Sequence, residues 1–247
     1  MKNEQKVSIV TVCYNAVEEL EKTILSVINQ TYTDIEYIVV DGGSTDGTKD
    51  IIHKYQHRIT RYISEPDKGI YDAMNKGIDL ATGEWINFMN AGDCFVNENV
   101  IANVAPALQG GHDIVFGNTI MVNGRHMKLS KGQLFPDRFP KIGHQSSFVK
   151  TSLMKENYFN TNYIISADFD FLYKMFEEGK DFFYVNMEVA LYNMDGTSSN
   201  HRGLLYREHC EIKRIVPSWS KIFKYKIEDA MPVWLMKRLL NLSWLMK

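Results

Sequence analysis

Two strand–helix units in succession at the start of the chain restrict its fold more than any other feature. Val7–Tyr14 is rich in valine, isoleucine and threonine and lacks polar alternation, which predicts a buried parallel strand. Val17–Asn29 follows with apolar residues at helical spacing. Ile35–Val40 and Asp46–Tyr55 repeat the pattern. Consecutive βα units predict an α/β protein whose mostly parallel central sheet is flanked by helices.

This pattern continues to about residue 117 and then becomes mixed. Ile59–Ile63 and Glu84–Met89 predict a third and a fourth strand, and Ile70–Leu80 predicts the helix between them. Asn123-Gly124 predicts a hairpin turn, and Ala167–Glu178 predicts a helix. Further strands are expected at 113–117, 119–122, 126–129, 144–149, 182–185 and 189–192, and a further helix at 97–108.

The composition excludes several classes of protein. A formal charge of −2 provides no basic excess for binding nucleic acid. Cys13, Cys94 and Cys210 are widely spaced, so we expect neither disulfides nor a structural zinc site. The amino terminus has no secretion signal, and no apolar run reaches the roughly 20 residues of a membrane span. We therefore expect a cytoplasmic protein whose contact with a membrane is at most peripheral.

Polar residues stand at or just after the predicted strand ends. These residues are Asn15, Asp41, Asp67 and Asp93. Any one of them alone is equally well explained as a helix cap. In open parallel sheets, however, ligands bind beyond the carboxyl ends of the strands, where the loops converge. Four such residues together therefore predict a binding site.

Asp41 precedes Gly42-Gly43, where the missing side chains let a ligand approach the backbone closely. Its carboxylate can accept the imide N–H of a uracil or thymine ring, with the first-strand backbone near Thr11 supporting the ring. The alternative is a tight turn without a ligand. Asp46 is expected to cap the second helix and not to contact the ligand.

Asn90-Ala91-Gly92-Asp93 follows the fourth strand and contains the best candidate for a metal ligand, Asp93. Mg²⁺ and Mn²⁺ prefer oxygen ligands, and Mg²⁺ usually takes one or two carboxylates together with phosphates and waters. A single carboxylate is therefore sufficient to hold a cation against a diphosphate. The cation would offset the charge that develops on a departing nucleoside diphosphate.

A second acidic cluster, Ser166–Asp170, begins the helix predicted at residue 167. Asp168 and Asp170 are two residues apart and do not share a helix face, so one can face a cleft while the other caps the helix. We expect Asp168 to be a general base that deprotonates an acceptor hydroxyl. Helix capping is the alternative function of Asp168.

Three basic side chains are further candidates. His144 is either a hydrogen-bonded structural residue or a member of the site. His201 and Arg202 follow the loop at residues 195–199 and are candidates for closing over a phosphate.

Four stretches of the chain, in this order, resemble glycosyltransferase family 2, whose members have the GT-A fold. They are Val7–Asn15, Ser26–Tyr32, Glu36–Thr48 and Asp67–Gly77. The resemblance covers roughly residues 7 to 195. It implies a nucleotide-sugar donor, a divalent metal (Mn²⁺ or Mg²⁺) and inversion by direct displacement. It also implies a Rossmann-like nucleotide-binding half of the sheet and a mixed acceptor half.

By this resemblance, Asp41 and Asp67 or Asp72 contact the nucleotide, Asp93 binds the metal and Asp168 is the base. The full set of expected donor contacts is Thr11, Tyr14, Asn15, Asp41, Gly43, Asp67, Lys68, Asp72, Asn75, Asn90, Ala91 and Gly92.

The chain departs from the family pattern in two places. The family's metal motif usually has carboxylates at its first and third positions, where this chain has Asn90 and Gly92. Relatives often have an arginine at the position of Met74, so Lys68 or Lys76 is expected to contact phosphate instead.

Residues 1–200 are expected to form the GT-A catalytic domain, and residues 201–247 a basic, aromatic-rich helical extension. The extension interleaves basic residues from Lys213 to Lys247 with aromatic and leucine residues such as Trp219, Phe223 and Trp244. This composition suits an anionic inner membrane surface that carries a lipid-linked acceptor. An ordinary packing helix, or one that forms a homo-oligomer, is the alternative.

The sequence thus predicts an inverting glycosyltransferase that moves a sugar from a nucleotide donor, such as a UDP-sugar, to a glycan or lipid-linked acceptor in surface polysaccharide biosynthesis. One alternative is a catalytically silent partner subunit that only binds the sugar nucleotide, which the reduced metal motif would permit. Another is a nucleotidyltransferase, which needs a glycine- and arginine-rich loop after the first strand, and Tyr14–Glu19 is not such a loop.

Overall fold

The structure is a computed structural model that describes residues 5–194 and 201–230, with the backbone alone at residues 226–230. The chain divides into two compact units, residues 1–193 and 194–247, which are described separately. Residues 195–200 and 231–247 lie outside the described residues. They include the loop predicted before His201 and the C-terminal part of the basic, aromatic-rich extension.

The first unit consists of a nine-stranded sheet and six α-helices among its described residues. The strands are β1 (Val7–Cys13), β2 (Ile35–Asp41), β3 (Arg61–Ser64), β4 (Trp85–Phe88), β5 (Cys94–Phe95), β6 (Ile114–Asn123), β7 (His126–Ser130), β8 (Ser147–Lys150) and β9 (Phe182–Asn193). The helices are α1 (Leu20–Ile28), α2 (Thr48–Tyr55), α3 (Ile70–Leu80), α4 (Val100–Leu108), α5 (Thr151–Asn157) and α6 (Ala167–Glu177).

The sheet has a parallel half and a mixed half. The strand order is β3-β2-β1-β4-β8-β6-β9-β5, with β7 paired to β6. Strands β1 to β4 are parallel, as the βα pattern predicts. Beyond them, β8 is antiparallel to both β4 and β6, whereas β6 and β9 are parallel. This is the α/β architecture expected from the sequence.

The parallel half is buried on both faces, which explains its continuous apolar strands. Ile9 packs in a core with Leu20 of α1 and Ile52 of α2. Val10 packs on the opposite face with Ile78 of α3. Each side chain of β1 is therefore covered, and no polar alternation is required.

The mixed half corrects several predicted boundaries. The strands expected at 113–117 and 119–122 are one strand, β6, and those expected at 182–185 and 189–192 are likewise one strand, β9. The pairing of β6 with β9 changes register between Phe116 and Asn118, so a bulge carries the ladder past Gly117. The strand expected from His144 starts only at Ser147, after a single 3-10 turn, and α5 was not predicted.

The second unit contains helices α7 (Arg202–Ile212) and α8 (Trp219–Ala230). The change to helix at Arg202 agrees with the sequence pattern. Tyr206 of α7 and Tyr225 of α8 pack with their ring centroids 5.4 Å apart. Within the described part of the chain, no helix is both long and apolar enough to cross a membrane.

Candidate active site

The loops after β1, β2, β3 and β4 emerge at one edge of the sheet, because these four strands are parallel. At that edge Cys13 and Asp41 are register partners. Gly42 N–H donates to the Cys13 carbonyl, and Ala91 N–H donates to the Val12 carbonyl. The structure therefore brings the predicted strand-end residues to a common edge.

Asp41 is fully buried and organises the loop that follows β2. It accepts the Ser44 N–H at 3.1 Å and hydrogen bonds from the hydroxyls of Ser44 and Ser64. Ser44 Oγ in turn accepts the Asn15 N–H, and Asn15 Oδ1 accepts the Thr45 N–H at 2.9 Å. The carboxylate of Asp41 has no exposed surface, so it supports the loop and does not present the free oxygen that was expected to read a base.

Asp67 instead lies at the surface of this loop. Its Oδ2 occupies the space that a side chain at Gly42 would fill, and the ring of Tyr14 borders the same space. Asp67 Oδ1 accepts the Gly69 N–H at 2.9 Å, which orients the carboxylate. Tyr14 is 64% exposed. The exposed Tyr14 ring and the partly exposed Asp67 carboxylate meet over the buried Gly42 and present one aromatic ring and one hydrogen-bond acceptor; we call these three residues the shelf.

Two predicted donor contacts are structural. Thr11 is fully buried, and its hydroxyl donates to the Met89 carbonyl at 2.8 Å, which joins β1 to the end of β4. Asn75 uses both polar atoms on the backbone of Phe159, donating at 2.9 Å and accepting at 2.8 Å. Both side chains therefore join parts of the fold, because their polar atoms are already engaged within the protein and are not directed to a nucleotide-sugar donor.

The loop after β3 places the remaining predicted contacts differently. Asp72 accepts the Lys68 N–H at 3.1 Å and lies 3.6 Å from Lys76 Nζ, so it stabilises the start of α3. Lys76 Nζ also pairs with Glu65 at 2.9 Å. The side chain of Lys68 is exposed and has no partner among the described residues, which leaves it available to a phosphate. Gly43, at a positive φ of 83°, packs against Pro66.

Asp93 is almost completely buried, at 5% exposure. Its Oδ1 accepts the N–H of Asn193, the last residue of β9, at 3.0 Å. Thr23 Oγ1 accepts the Gly92 N–H and donates to the Asp93 carbonyl, which fixes the turn at Gly92. Burial raises the pKa of Asp93 to about 6, and the nearby His144 only partly offsets this effect. The site thus holds a carboxylate with an incomplete set of partners.

Asn90, beside Asp93, is also incompletely satisfied. Its Oδ1 is buried without a hydrogen-bond partner, and its Nδ2 lies 3.5 Å from His144 Nε2. A buried carbonyl oxygen without a donor costs free energy of about 1–3 kcal/mol. A hydroxyl of a bound sugar would satisfy this oxygen.

The residues at Asp93 are compatible with a divalent cation that arrives with a diphosphate. No cluster of three or more His, Cys, Asp or Glu side chains able to hold a metal occurs within residues 5–194 and 201–230. A hard cation can nevertheless take one carboxylate from the protein and its other ligands from phosphate and water. The second oxygen of Asp93 accepts no hydrogen bond from the described residues, so it is available for this purpose.

His144 and Asp168, 24 residues apart in sequence, form a hydrogen-bonded pair. His144 Nδ1 lies 2.6 Å from Asp168 Oδ2, and the Tyr71 hydroxyl donates to Asp168 Oδ1 at 2.9 Å. Burial alone would raise the pKa of Asp168, but the hydrogen bond and charge of His144 and the hydrogen bond of Tyr71 lower it. Burial alone would lower the pKa of His144, but Asp168 and the charge of Asp93 raise it. The pair therefore favours the ionised carboxylate.

Tyr71 was missed by the sequence reasoning, as was the contact between Asn193 and Asp93. Tyr71 lies on the buried face of α3 and is 7% exposed. Only the position of its hydroxyl relative to residue 168 shows that it also contacts the site. No local signal in the sequence could have indicated either contact.

Three candidates remain, one in the first unit and two in the second. Asp170 is in the first turn of α6 and is partly exposed. His201 immediately precedes α7 in the second unit, and Arg202 is the first residue of that helix. A separate hollow of about 540 Å³, lined by Trp85 and Thr151 among others, contains none of the predicted site residues.

Comparison with known proteins identifies the class. Residues 8–179 match the family described as glycosyl transferase family 2. The PGL/p-HBAD biosynthesis glycosyltransferase of Mycobacterium bovis BCG is 35% identical over an alignment of 205 residues that covers 78% of each chain. The chain therefore belongs to glycosyl transferase family 2 and is a glycosyltransferase, as the resemblance of its motifs implied.

Solved structures confirm the GT-A fold. Staphylococcus aureus TarS residues 1–349 in complex with UDP superposes with a TM-score of 0.70 at 20% identity, covering 84% of this chain and 64% of that one. This chain thus spans just under two thirds of that structure. Mannosyltransferase PcManGT from Pyrobaculum calidifontis, in complex with GDP-Man and Mn²⁺, gives 0.66 at 15% identity, covering 91% and 70%.

Proposed function

We propose that this glycosyltransferase transfers a sugar, with inversion, from a uridine diphosphate donor to a hydroxyl of a glycan or lipid-linked acceptor in surface polysaccharide biosynthesis. The observation that carries the proposal is the position of Asp93 and the unsatisfied Asn90 oxygen, next to the His144–Asp168 pair. In this proposal, Asp93 would hold the diphosphate through a cation, and the neighbouring His144–Asp168 pair would accept the proton. Inverting transfer requires both.

The shelf is the proposed place of the nucleotide base. Asp67 Oδ2 can accept the imide N–H of uracil, and the exposed Tyr14 ring can pack against the base. A guanine ring also presents N–H donors, and PcManGT was solved with GDP-Man, whereas TarS was solved with UDP. The small, single-acceptor shelf favours uracil in our proposal.

The diphosphate is proposed to lie between Lys68 and Asp93. Lys68 supplies an unpaired ammonium, and Asp93 would hold a Mg²⁺ or Mn²⁺ ion through its free oxygen. When bound, this ion would neutralise the charge that develops on the leaving diphosphate. Asn90 Oδ1 would orient the donor sugar by accepting a hydroxyl, and the His144–Asp168 pair would remove the proton of the attacking hydroxyl.

A panel of nucleotide sugars, screened for thermal stabilisation with and without Mn²⁺, tests the donor assignment. We expect a UDP-sugar to stabilise the protein, and Mn²⁺ to increase that shift. Asp67→Asn should abolish the shift, because an amide N–H₂ in place of Oδ2 would face the imide N–H. Asp50→Asn, the same change at an exposed position on α2, should leave it unchanged. Preference for a GDP-sugar would contradict the base assignment.

The panel also addresses the silent-subunit alternative, which the reduced metal motif permits. A chain that binds a UDP-sugar but transfers sugar to no acceptor, and does not hydrolyse the donor, would support that alternative. Measurable release of UDP that depends on acceptor concentration would exclude it.

We propose in addition that the second unit makes peripheral contact with an anionic inner membrane surface, where a lipid-linked acceptor would be found. Val216, Trp219 and Phe223 are 92%, 83% and 68% exposed. Residues 213–226 carry five basic side chains and no acidic one. Exposed aromatic residues beside basic ones suit the boundary between lipid headgroups and acyl chains.

Sedimentation with lipid vesicles tests the membrane contact. The protein should sediment with vesicles that contain phosphatidylglycerol and remain in solution with phosphatidylcholine alone. The double variant Trp219→Ser, Phe223→Ser should lose this binding. Met127→Ser with Leu129→Ser removes exposed apolar side chains from β7 of the first unit and serves as the matched control. Equal loss in both double variants would contradict the assignment.

A further inference from the structure

The hydrogen bonds of the His144–Asp168 pair fix which atom of the pair can accept a proton. Both oxygens of Asp168 already accept hydrogen bonds, one from the Tyr71 hydroxyl and one from His144 Nδ1. Asp168 is ionised, so His144 Nδ1 must carry a hydrogen for this contact to be attractive. In the neutral imidazole, the lone pair is then on Nε2.

His144 Nε2 also faces the strand-end loop that carries Asp93. It lies 3.5 Å from Asn90 Nδ2 in that loop and accepts a long hydrogen bond from it in this tautomer, which an acceptor hydroxyl would replace. The side chain of His144 is 23% exposed, so the imidazole is not sealed in the core. The unprotonated nitrogen is thus directed to the place where donor and acceptor are expected to meet.

The neighbouring charges favour a proton on His144 over a proton on Asp168. Protonating Asp168 would weaken the hydrogen bonds from both His144 and Tyr71. Protonating His144 instead creates an imidazolium whose Nδ1–H donates to the ionised Asp168 on α6, so the charge is paired at once. The raised pKa of His144 and the lowered pKa of Asp168 express the same preference.

We propose that His144 Nε2 is the general base of the reaction and that Asp168 acts through it as a positioning residue, an inference that rests on the proposed function. The acceptor oxygen forms a bond to the anomeric carbon while its proton passes to Nε2. The bond from that carbon to the diphosphate oxygen breaks, and its electron pair leaves with the nucleoside diphosphate. The imidazolium formed is paired with Asp168 and later returns its proton to solvent. Tyr71 holds Asp168 from the opposite side.

The substitution His144→Asn separates a base from a structural residue. The asparagine Nδ2 lies near the position of histidine Nδ1, so it can still donate to Asp168, but no group replaces Nε2. We expect kcat to fall by about 10²–10⁴-fold, the usual contribution of a general base. Stabilisation by the donor should persist, which shows that the variant is folded.

His112→Asn is the matched control. His112 Nδ1 also contacts a carboxylate, that of Asp181, in a pair that contains none of the proposed site residues. We expect this variant to retain the wild-type kcat. His144→Gln, whose amide nitrogen lies near the position of Nε2 and cannot accept a proton, should be as inactive as His144→Asn.

The pH dependence of kcat/KM and the tautomer of His144 provide two further readouts. If His144 is the base, the acidic limb of the wild-type profile should lie above pH 6.5, the ordinary histidine value, and Asp168→Asn should move it down. If Asp168 were the base, the limb would lie below pH 4. Nitrogen NMR of the free protein above the acidic limb should show hydrogen on Nδ1 and a lone pair on Nε2.

Retention of kcat within about threefold in His144→Asn, or a hydrogen on Nε2 in the neutral ring, would overturn the inference. Either result would leave the proposed glycosyl transfer intact, because donor binding and wild-type turnover are measured separately. A wild-type chain that transfers sugar from no nucleotide donor would overturn the proposed function and this inference together.

Discussion

The loop after β2 and the site around Asp93 lie at the same edge of one sheet, yet their polar groups are in opposite states. In the loop, Asp41 is fully buried and its oxygens accept from Ser44 and Ser64. At Asp93, burial raises the pKa to about 6, and the adjacent Asn90 Oδ1 has no partner. The polar groups of the first region have all their hydrogen-bond partners within the protein, whereas those of the second region lack partners that a substrate would supply.

This difference teaches where a substitution should reduce stability and where it should reduce turnover. Buried polar groups with complete hydrogen bonds contribute to the folded state, and their loss is costly. Buried polar groups that lack hydrogen-bond partners raise the free energy of the unliganded protein, and they gain partners when a ligand binds. Four substitutions test the distinction, from the largest expected effect to the smallest.

Asp168→Asn should have the largest effect. The amide can no longer orient the imidazole or balance its positive charge, so kcat should fall by about 10³–10⁴-fold, as when the carboxylate of a hydrogen-bonded Asp–His pair is replaced. Stabilisation by the donor should remain close to wild type. Steady-state kinetics with the donor identified in the thermal screen provide the measurement. If the variant loses donor binding as strongly as turnover, Asp168 has a structural role like that of Asp41, and the proposed difference between the two regions is wrong.

Asp41→Asn should reduce stability. An amide in place of the carboxylate turns an N–H₂ group toward the hydroxyls of Ser44 or Ser64, which we expect to cost about 2–4 kcal/mol in the free energy of unfolding. Urea denaturation measures this change. Asp50→Asn, at an exposed position, should change it by no more than about 0.5 kcal/mol. If Asp41→Asn costs no more than this control, the loop is not held by its carboxylate.

Asp93→Asn should stabilise the metal-free protein at pH 8. The pKa of Asp93 is about 6 in the folded state and ordinarily 3.8, so ionisation opposes folding. The wild type is therefore favoured at low pH and loses stability as the pH rises through about 6. The asparagine still accepts the Asn193 N–H and has no such loss, which predicts a gain of about 1–3 kcal/mol at pH 8.

Thermal unfolding of wild type and Asp93→Asn between pH 4 and pH 8 measures this difference. The gap between the two proteins should be small near pH 4, widen as the pH rises through about 6 and then stay constant to pH 8. Adding Mn²⁺ with UDP should narrow it by stabilising the wild type alone. A gap that does not depend on pH would show that Asp93 is satisfied without a ligand.

Tyr71→Phe should have the smallest effect. It removes one hydrogen bond to Asp168 and leaves the packing of the ring, so we expect kcat to fall by about 3–10-fold, equivalent to about 1 kcal/mol. Tyr158→Phe removes a similar bond to Asp79 at the surface and should leave kcat unchanged. An unchanged kcat in both variants would show that the hydrogen bond from His144 alone is sufficient to position Asp168.

The parallel half of the fold follows from local sequence to within a few residues. β1, β2 and α3 have the predicted extents almost unchanged, because each is set by apolar periodicity and by the turn that follows it. α1 begins at Leu20, later than predicted, because Asn15 adopts a positive φ of 47° and a turn joins it to the helix. The sequence predicts two short strands in place of β6 and two in place of β9, because the continuity of each strand depends on its pairing with the other.

The sequence predicts which residues are candidates for the site, but it does not predict which of them are buried or which of them contact one another. Position after parallel strands correctly places Asp67 and Asp93 at the same edge of the sheet. It was not sufficient to distinguish the buried Asp41 from the accessible Asp67, because the hydrogen bonds from Ser44 and Ser64 decide that difference. The pairing of His144 with Asp168 depends on a turn and a helix whose relative placement has no local signature.

The contacts that complete the site also determine when it can form during folding. The bond from Tyr71 to Asp168 spans 97 residues, and the bond from Asn193 to Asp93 spans 100. The four parallel strands end at Phe88, so a growing chain can order them before either bond is possible. Contacts at such separation form only after a large loss of chain entropy. We therefore expect the shelf to form first, so a nascent chain would have the proposed nucleotide site before it has the proposed catalytic pair.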